Sequence, residues 1–531
     1  MTNSTAQTTD INSTTAASQK YSTHYCLIIY GAISILMMCF MFLRRALIDD
    51  GPFHFGRLCA LSNEISLSNL RPAIYSDTFF HTGYPLGIYY PDIFMYPFAL
   101  LGKLGISKYV LFVLFLMCIN FASAASIFYS LKKILFYNNV KYYQHIAFVS
   151  GIIYLAFPYR LYDMYIRMAI GECMAFIFIP IVVLGVYEIF YNNKFGLCLF
   201  FGMTGLAHSH ILSVAMTAVV LLAFYILNVK KLIKNPKIIV NTAFNAVLTI
   251  LCTLSIILPI LEMQTFTTLY YQTGIKTFGL LETHCIHLIG NDIISLIVTA
   301  IISVACIILQ ARLHTNGRLI LATLYFIFMC TDAFCWGFLE HYIPALNTLQ
   351  FPFRLLVFTG IPLSYYFGKL LYVHKPLYIS IPVILLSGLI FLSYVKYLPI
   401  DTVDIYGLYS VGQGEYLNQD FRNYFIIDES IDGIYKEFDI KRNDNTYTFT
   451  ADNGTVVLPV GYYKGYRVTD NKGNKYEYTS RDGLLKIDNV KVDTLTVKYI
   501  GTAVQKVSLF VSLITFIVTC FMACRLRKKE E

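Results

Sequence analysis

Long apolar runs, most of them joined by short polar connections, recur from residue 25 to residue 525. A helix needs about 20 such residues to cross the hydrocarbon core, because in lipid each backbone N–H and C=O must be satisfied inside its own segment. Scanning the chain on that criterion gives about twelve spans, near 25–43, 108–131, 145–157, 173–191, 195–207, 210–228, 238–260, 291–311, 319–338, 354–373, 377–397 and 506–525. The runs at 145–157 and 195–207 are short, the pattern of broken or tilted helices that border a cavity rather than lipid. The expected fold is mainly α, a polytopic membrane protein.

Of the 531 residues, 56% are hydrophobic and only 14% charged, a balance that no water-soluble surface of this size can supply. A formal net charge of +9 would point to nucleic acid in a soluble protein. Here the basic excess sits in short connections, where it orients helices, and a nucleic-acid partner is set aside. The 13 cysteines follow no paired zinc spacing, and many lie inside apolar runs as small hydrophobes.

Lys132, Lys133 and Lys141, Lys194, Lys230, Lys231, Lys234 and Lys237, Arg312 and Arg318, Lys369 and Lys375, and finally Arg525, Arg527, Lys528 and Lys529 fall on alternate connections. By the excess of Lys and Arg on cytoplasmic loops, that side is cytoplasmic and holds both termini. The connections at 44–107, 158–172, 261–290 and 339–353 are then extracytoplasmic. Arg44 and Arg45 break the rule, and either meet phosphate or snorkel to headgroups.

Four parts follow. Residues 1–24, rich in Thr, Ser, Ala and Asn, read as a disordered leader with no evident cleavable signal; their sequons at Asn3 and Asn12 matter only on a lumenal face. Residues 25–397 form the polytopic part, including the loop 44–107, and residues 506–531 a final span with a basic tail. In 398–505 the period changes to alternation, at Thr446–Thr450, Val456–Val460, Lys475–Tyr478 and Thr494–Tyr499, with turn signals at Asp452-Asn453-Gly454 and Asn471-Lys472-Gly473. This part reads as a small extracytoplasmic β-rich domain, a sandwich without cysteines.

The polar residues that stand out gather in the outward loops. Asp49 and Asp50, followed by His54 and Arg57, sit directly behind the first span, where paired acids repel and cost desolvation energy. A solvated acidic loop is the alternative. Tyr84-Pro85-Leu86-Gly87-Ile88-Tyr89-Tyr90-Pro91 suits either sugar stacking or anchoring at headgroup level, and Asp92 either caps a helix or serves the site. Arg160, Asp163 and Arg167 recur at helical spacing, so an arginine can neutralise Asp163 or hold phosphate beside it. Glu172 opens a span and needs a partner or a role. Arg354, in Gln350-Phe351-Pro352-Phe353-Arg354, can reach a lipid phosphate or snorkel. His208 and His210, with Glu282, His284 and His287, show no fixed set of three metal ligands.

With these residues in view, the chain resembles the bacterial integral-membrane glycosyltransferases of GT-C type, especially the YfhO-like proteins and the neighbouring membrane family labelled 6-pyruvoyl-tetrahydropterin synthase-related. The resemblance rests on Asp50-Gly51-Pro52-Phe53-His54-Phe55-Gly56-Arg57, on Gly83 to Asp92, on Tyr159 to Asp163 with Arg167 and Gly171-Glu172, and on Gln350 to Arg354. Pro459 to Tyr466 is similar to the family's β domain, with Tyr466 where Trp is expected. It implies inverting transfer of a sugar from a polyprenyl-phosphate donor to a cell-envelope glycan or polymer acceptor on the outer side of the membrane. Asp49 or Asp50 would act as general base, with Arg57, Arg160, Arg167 and Arg354 on the phosphate. Asp163 or Glu172 would orient substrate or a divalent cation such as Mg or Mn, a dependence that varies across the architecture and stays open. Two other readings use the same residues: a transporter or flippase of lipid-linked sugar, and a noncatalytic cell-envelope scaffold.

Overall fold

The computed structural model describes residues 22–271, 317–330, 334–373, 415–427, 441–443 and 446–530, less 77, 79 and 80, together with 274–275 and scattered positions between 388 and 402. The expected leader up to residue 21, the expected span at 291–311 and most of that at 377–397 lie outside these residues.

The main helices of the body are α1 (Thr23–Arg44), α2 (Gly51–Glu64), α3 (Lys108–Tyr137), α4 (Tyr143–Leu155), α5 (Ile170–Asn192), α6 (Cys198–Ala207), α7 (Ile211–Leu227), α8 (Pro236–Phe266), α9 (Gly317–Met329), α10 (Gly360–Val373) and α11 (Ala503–Glu530). Five of these, α1, α3, α5, α8 and α11, are long and apolar enough to cross a membrane. The expected spans at 145–157, 195–207 and 210–228 appear as the shorter apolar helices α4, α6 and α7. The one expected at 354–373 begins as a 3-10 helix, Pro352–Thr359, and becomes α-helical only at Gly360. Proline at its first position, with no N–H to give, favours such a start.

Close backbone approach holds the body together. A Cβ on Gly185 of α5 would stand 2.1 Å from the backbone nitrogen of Leu199 in α6, so only glycine permits this contact. On α11, Ser508, Ser512, Thr515 and Thr519 are all buried. Ser512 Oγ accepts from the Ser255 N–H of α8 (3.0 Å) and lies 3.3 Å from the Leu251 carbonyl, to which it donates. Hydroxyls spaced along one helix face are thereby satisfied without water. At one end of the body Lys132 reaches Thr23 (2.9 Å), Lys133 pairs with Glu188 (2.5 Å), and Asn241 donates to the Lys194 carbonyl (3.1 Å). The connections that follow α1 and precede α5 emerge from the opposite ends of those helices.

The C-terminal β region is two antiparallel sheets, ordered β1-β2-β8-β4-β5 and β3-β7-β6. Their strands are β1 (Lys441–Asn443), β2 (Thr446–Thr450), β3 (Gly454–Gly461), β4 (Tyr466–Asp470), β5 (Lys475–Tyr476), β6 (Thr479–Arg481), β7 (Leu484–Val490) and β8 (Thr494–Tyr499). Alternation turns Phe449, Val468, Leu495 and Val497 inward from one sheet and Leu458, Leu485 and Ile487 from the other. Asn471-Lys472-Gly473 is a hairpin turn, between β4 and β5. Asp452-Asn453-Gly454 is not: it carries the chain from β2 in one sheet to β3 in the other, because β2 pairs with β8. The β6–β7 hairpin turns instead on Asp482-Gly483, both left-handed (φ 53° and 74°).

This region shares its core with the helical body. Ile74, Ile88, Tyr89 and Met263 belong to the same buried cluster as Phe449 and Leu495. Arg442 of β1 pairs with Glu64 at the end of α2 (3.2 Å) and donates to Ser76 Oγ (2.8 Å), while the Tyr447 hydroxyl donates to the Ser76 carbonyl (3.1 Å). Beside the start of α11, Lys464 pairs with Glu262 of α8 (3.2 Å).

Candidate functional site

Two tight backbone passages bring the sequence-distant acids and arginines together. After α1, Asp49 is left-handed (φ 46°), and after a five-residue π turn, Asp163–Arg167, so is Met168 (φ 48°). Such conformations cost energy in residues other than glycine and gather where surroundings hold them in place. Here the Asp50 N–H donates to the Arg167 carbonyl (2.9 Å). A Cβ on Gly51 would meet Met168 Sδ at 2.3 Å, so the missing side chain lets the two passages touch. The π turn inserts an extra residue into helical winding, which re-aims the side chains around it.

At this junction lies a buried ionic network. Arg167 Nη1 donates to Asp163 Oδ1 (2.9 Å) and to Glu172 Oε2 (2.8 Å), and the Tyr159 hydroxyl donates to the same Glu172 oxygen (2.7 Å). Arg354 Nε stands 2.7 Å from Glu172 Oε1, an ion pair by distance. Its N–H is not aligned for a hydrogen bond, so both atoms keep that capacity. Arg354 Nη1 donates to the Leu349 carbonyl (3.1 Å). The aromatic rings of Phe351 and Phe353 flank the cations, with the Arg167 guanidinium 5.2 Å from the Phe353 centroid and that of Arg354 5.2 Å from Phe351. Burial and the neighbouring Glu172 carboxylate push Asp163 well above the usual carboxylate range, against the pull of Arg167. Its Oδ2 has no hydrogen-bond partner among the described residues.

Asp50 borders this network from a partly open position, and Asp49 is exposed. Burial pushes the Asp50 carboxyl up to about 6; Arg167 and Arg354 moderate the rise, and Asp49 and Glu172 add to it. Asp49, though its surface is open, is raised too by the desolvation that the neighbouring protein imposes, against the attraction of Arg167. Of the two acids, Asp50 therefore changes charge nearer neutral pH.

A second network stands one helical turn along α2. Arg57 forms an ion pair with Asp92, whose other oxygen accepts from the Tyr75 hydroxyl. The same guanidinium lies 3.0 Å from His54 Nδ1, 3.4 Å from the Pro91 carbonyl and 4.6 Å from the Tyr90 ring centroid. Asp92 caps no helix; it anchors an arginine. Burial foremost, then Arg57, pushes the His54 imidazole well below its ordinary value.

Asp49, Asp50, His54, Asp163, Arg167, Glu172 and Arg354 are thus gathered around one junction. Arg160 is not part of it. Fully buried, it donates to Asn120 of α3 and to the Leu155 carbonyl (3.2 Å), because the π turn breaks the helical face it would have shared with Arg167. Arg57 is committed to Asp92 and His54, so it faces protein rather than open space. Tyr84 is buried, pairs with Tyr75 through both backbone bonds (2.8 and 3.0 Å), and donates its hydroxyl to the Glu415 carbonyl. Tyr90 meets Phe53 edge-on at 5.0 Å. Arg44 donates to the Leu398 carbonyl (2.6 Å).

Sequence reasoning missed Glu415 and Tyr416. The Tyr416 ring stacks on Tyr89 at 4.8 Å and meets Tyr90 at 5.5 Å. The Glu415 carboxyl, raised by burial and drawn down by Arg354, lies on the same side. They stand in a stretch without periodicity, where nothing marks an acid as special. His208 and His210 each bind their own turn, to the Thr204 carbonyl (2.9 Å) and Ser213 Oγ (2.8 Å). Glu282, His284 and His287 lie outside the described residues. Among the described residues no three His, Cys, Asp or Glu side chains converge as metal ligands, and the Glu172 and Asp163 oxygens face arginines. This donor set does not fit a resident divalent cation. Compared with protein-family models and with curated proteins, the chain matches none.

Proposed function

We propose that the protein is a membrane glycosyltransferase that moves a sugar from a polyprenyl-phosphate donor to a cell-envelope acceptor on the outer side of the membrane. The full topology in this reading is the GT-C-like one of about twelve spans, both termini cytoplasmic and the β domain extracytoplasmic. The observation that carries it is the Asp50 carboxyl, partly open and raised to about 6, beside a buried pair of arginines. A base of that strength is largely ionised at pH 7 yet still basic enough to accept a proton. Asp50 takes the acceptor hydroxyl proton as that oxygen bonds to the anomeric carbon. The bond from that carbon to the phosphate oxygen breaks, and its electron pair leaves with the polyprenyl phosphate. Arg354 and Arg167, held together by Glu172, supply the positive charge that offsets the growing phosphate charge. No step passes through a metal.

The test is incubation of the purified protein with a panel of polyprenyl-phosphate sugars, scoring release of polyprenyl phosphate. The wild type releases it at a rate that rises with pH through about 6, and Asp50→Asn abolishes release while donor binding persists. Binding without release from any donor in either protein refutes the enzyme and leaves a transporter; no binding leaves a scaffold.

A further inference from the structure

Arg57 carries only donors, so the His54 Nδ1 that faces its Nη1 at 3.0 Å must present a lone pair. Turning the ring over would set a C–H against the guanidinium. Arg57 is in turn fixed by Asp92, which the Tyr75 hydroxyl also binds, and by the Tyr90 ring beneath it. A chain of four side chains thus determines which imidazole nitrogen carries the proton. The His54 backbone N–H donates to the Asp50 carbonyl (3.0 Å), which places the ring one turn from that acid and within the field of Arg167 and His210. His54 is 4% exposed, and no described residue is seen to accept a hydrogen bond from Nε2. Nε2 is not among the fully enclosed polar atoms that lack a partner, so its N–H keeps open surface at which a ligand atom can accept.

We propose that His54, held by Arg57 with its proton on Nε2, donates that proton in a hydrogen bond to a phosphate oxygen of the lipid-linked ligand. This rests on the reading above for the identity of the ligand. Arg57, Asp92 and Tyr75 are then positioning residues: they never touch phosphate, and act by orienting the ring. A donor without a full charge suits this place, because it binds an oxyanion without lowering the basicity of Asp50 as another cation would.

Two measurements test the proposal. In protein carrying nitrogen-15 histidine, the His54 signals, identified by their loss in His54→Gln, are expected to show the neutral Nε2–H tautomer and to shift when farnesyl phosphate binds. An Nδ1–H ring, an imidazolium, or binding without any shift overturns the proposal. The second measurement compares His54→Asn with His54→Gln, since Gln carries its amide N–H near the Nε2 position and Asn near Nδ1. His54→Asn is expected to weaken farnesyl phosphate binding about tenfold or more, as for loss of a hydrogen bond to a charged group. His54→Gln recovers much of it, and farnesol, which lacks the phosphate, binds all three proteins alike. Equal losses in both variants, or losses shared by farnesol, overturn the proposal. Intact phosphate binding with no sugar transfer counts against the enzyme reading alone.

Discussion

Replacing Asp50 by Asn keeps the shape of the side chain and removes its charge, so it tests the electrostatics of the site apart from its chemistry. The carboxyl rises from 3.8 to about 6 on folding, and at about 1.4 kcal/mol per pH unit that is about 3 kcal/mol. Below 3.8 the group is protonated whether folded or not, and contributes no difference. As pH climbs from there to about 6, the unfolded chain has already lost the proton that the folded protein still holds, so stability falls. Above that range the whole penalty is present. Among the described residues the Asp50 side chain makes no hydrogen bond that the amide would forfeit. Asp50→Asn should therefore match the wild type near pH 3.5 and exceed it by about 1–3 kcal/mol at pH 8, the lower figure applying because the carboxylate is partly open to water. Thermal unfolding in one detergent across this range measures the difference, with fluorescence of the single tryptophan, the buried Trp336, as reporter. A gap that does not vary with pH, or a variant less stable than the wild type at pH 8, would refute the assignment of Asp50 as a strained carboxylate.

Three further outcomes follow from the packing. Glu172→Gln leaves Arg167 and Arg354 facing each other with one fewer counter-charge, and should destabilise the protein by about 3–5 kcal/mol in the same unfolding assay. Gly185→Ala presses a methyl onto the backbone of Leu199 and should cost about 2 kcal/mol or more, whereas Gly31→Ala, with open space around it, should be close to neutral; yields of folded protein rank the two. Arg442→Met removes the guanidinium that faces the buried Glu64 carboxylate and should speed hydrogen exchange in β1 and β2 by about tenfold, while exchange in α3 stays unchanged.

Apolar length made the long helices plain in the sequence, because a stretch such as 108–131 has no other stable form in lipid. The shorter helices were harder: α4 and α6 are largely buried against protein, where length ceases to be diagnostic, whereas α7 leaves Val219, Leu222, Ile226 and Leu227 exposed. Alternation revealed β2, β3 and β8, yet Asp452-Asn453-Gly454 has the same composition as a hairpin turn and joins two sheets instead, since pairing partners are chosen by tertiary contacts. In the site, charge in an apolar setting marked Asp50, Asp163, Arg167, Glu172 and Arg354. Helical spacing misassigned Arg160, because a π turn leaves no periodic trace and rotates the side chains on either side of it. Arg57 and Asp92 were visible as charges but not as partners of one another, 35 residues apart. Glu415 and Tyr416 reach the site only through the path of the chain, which no local pattern encodes.

The hydrogen bond from the Asp50 amide to the Arg167 carbonyl acts as a caliper. It sets the spacing between a proton acceptor and a cation through the main chain, so rotamer changes in either side chain leave their anchor points in register. Displacing one loop would drag the other with it. The acid and the guanidinium therefore shift as a unit with respect to anything bound beside them.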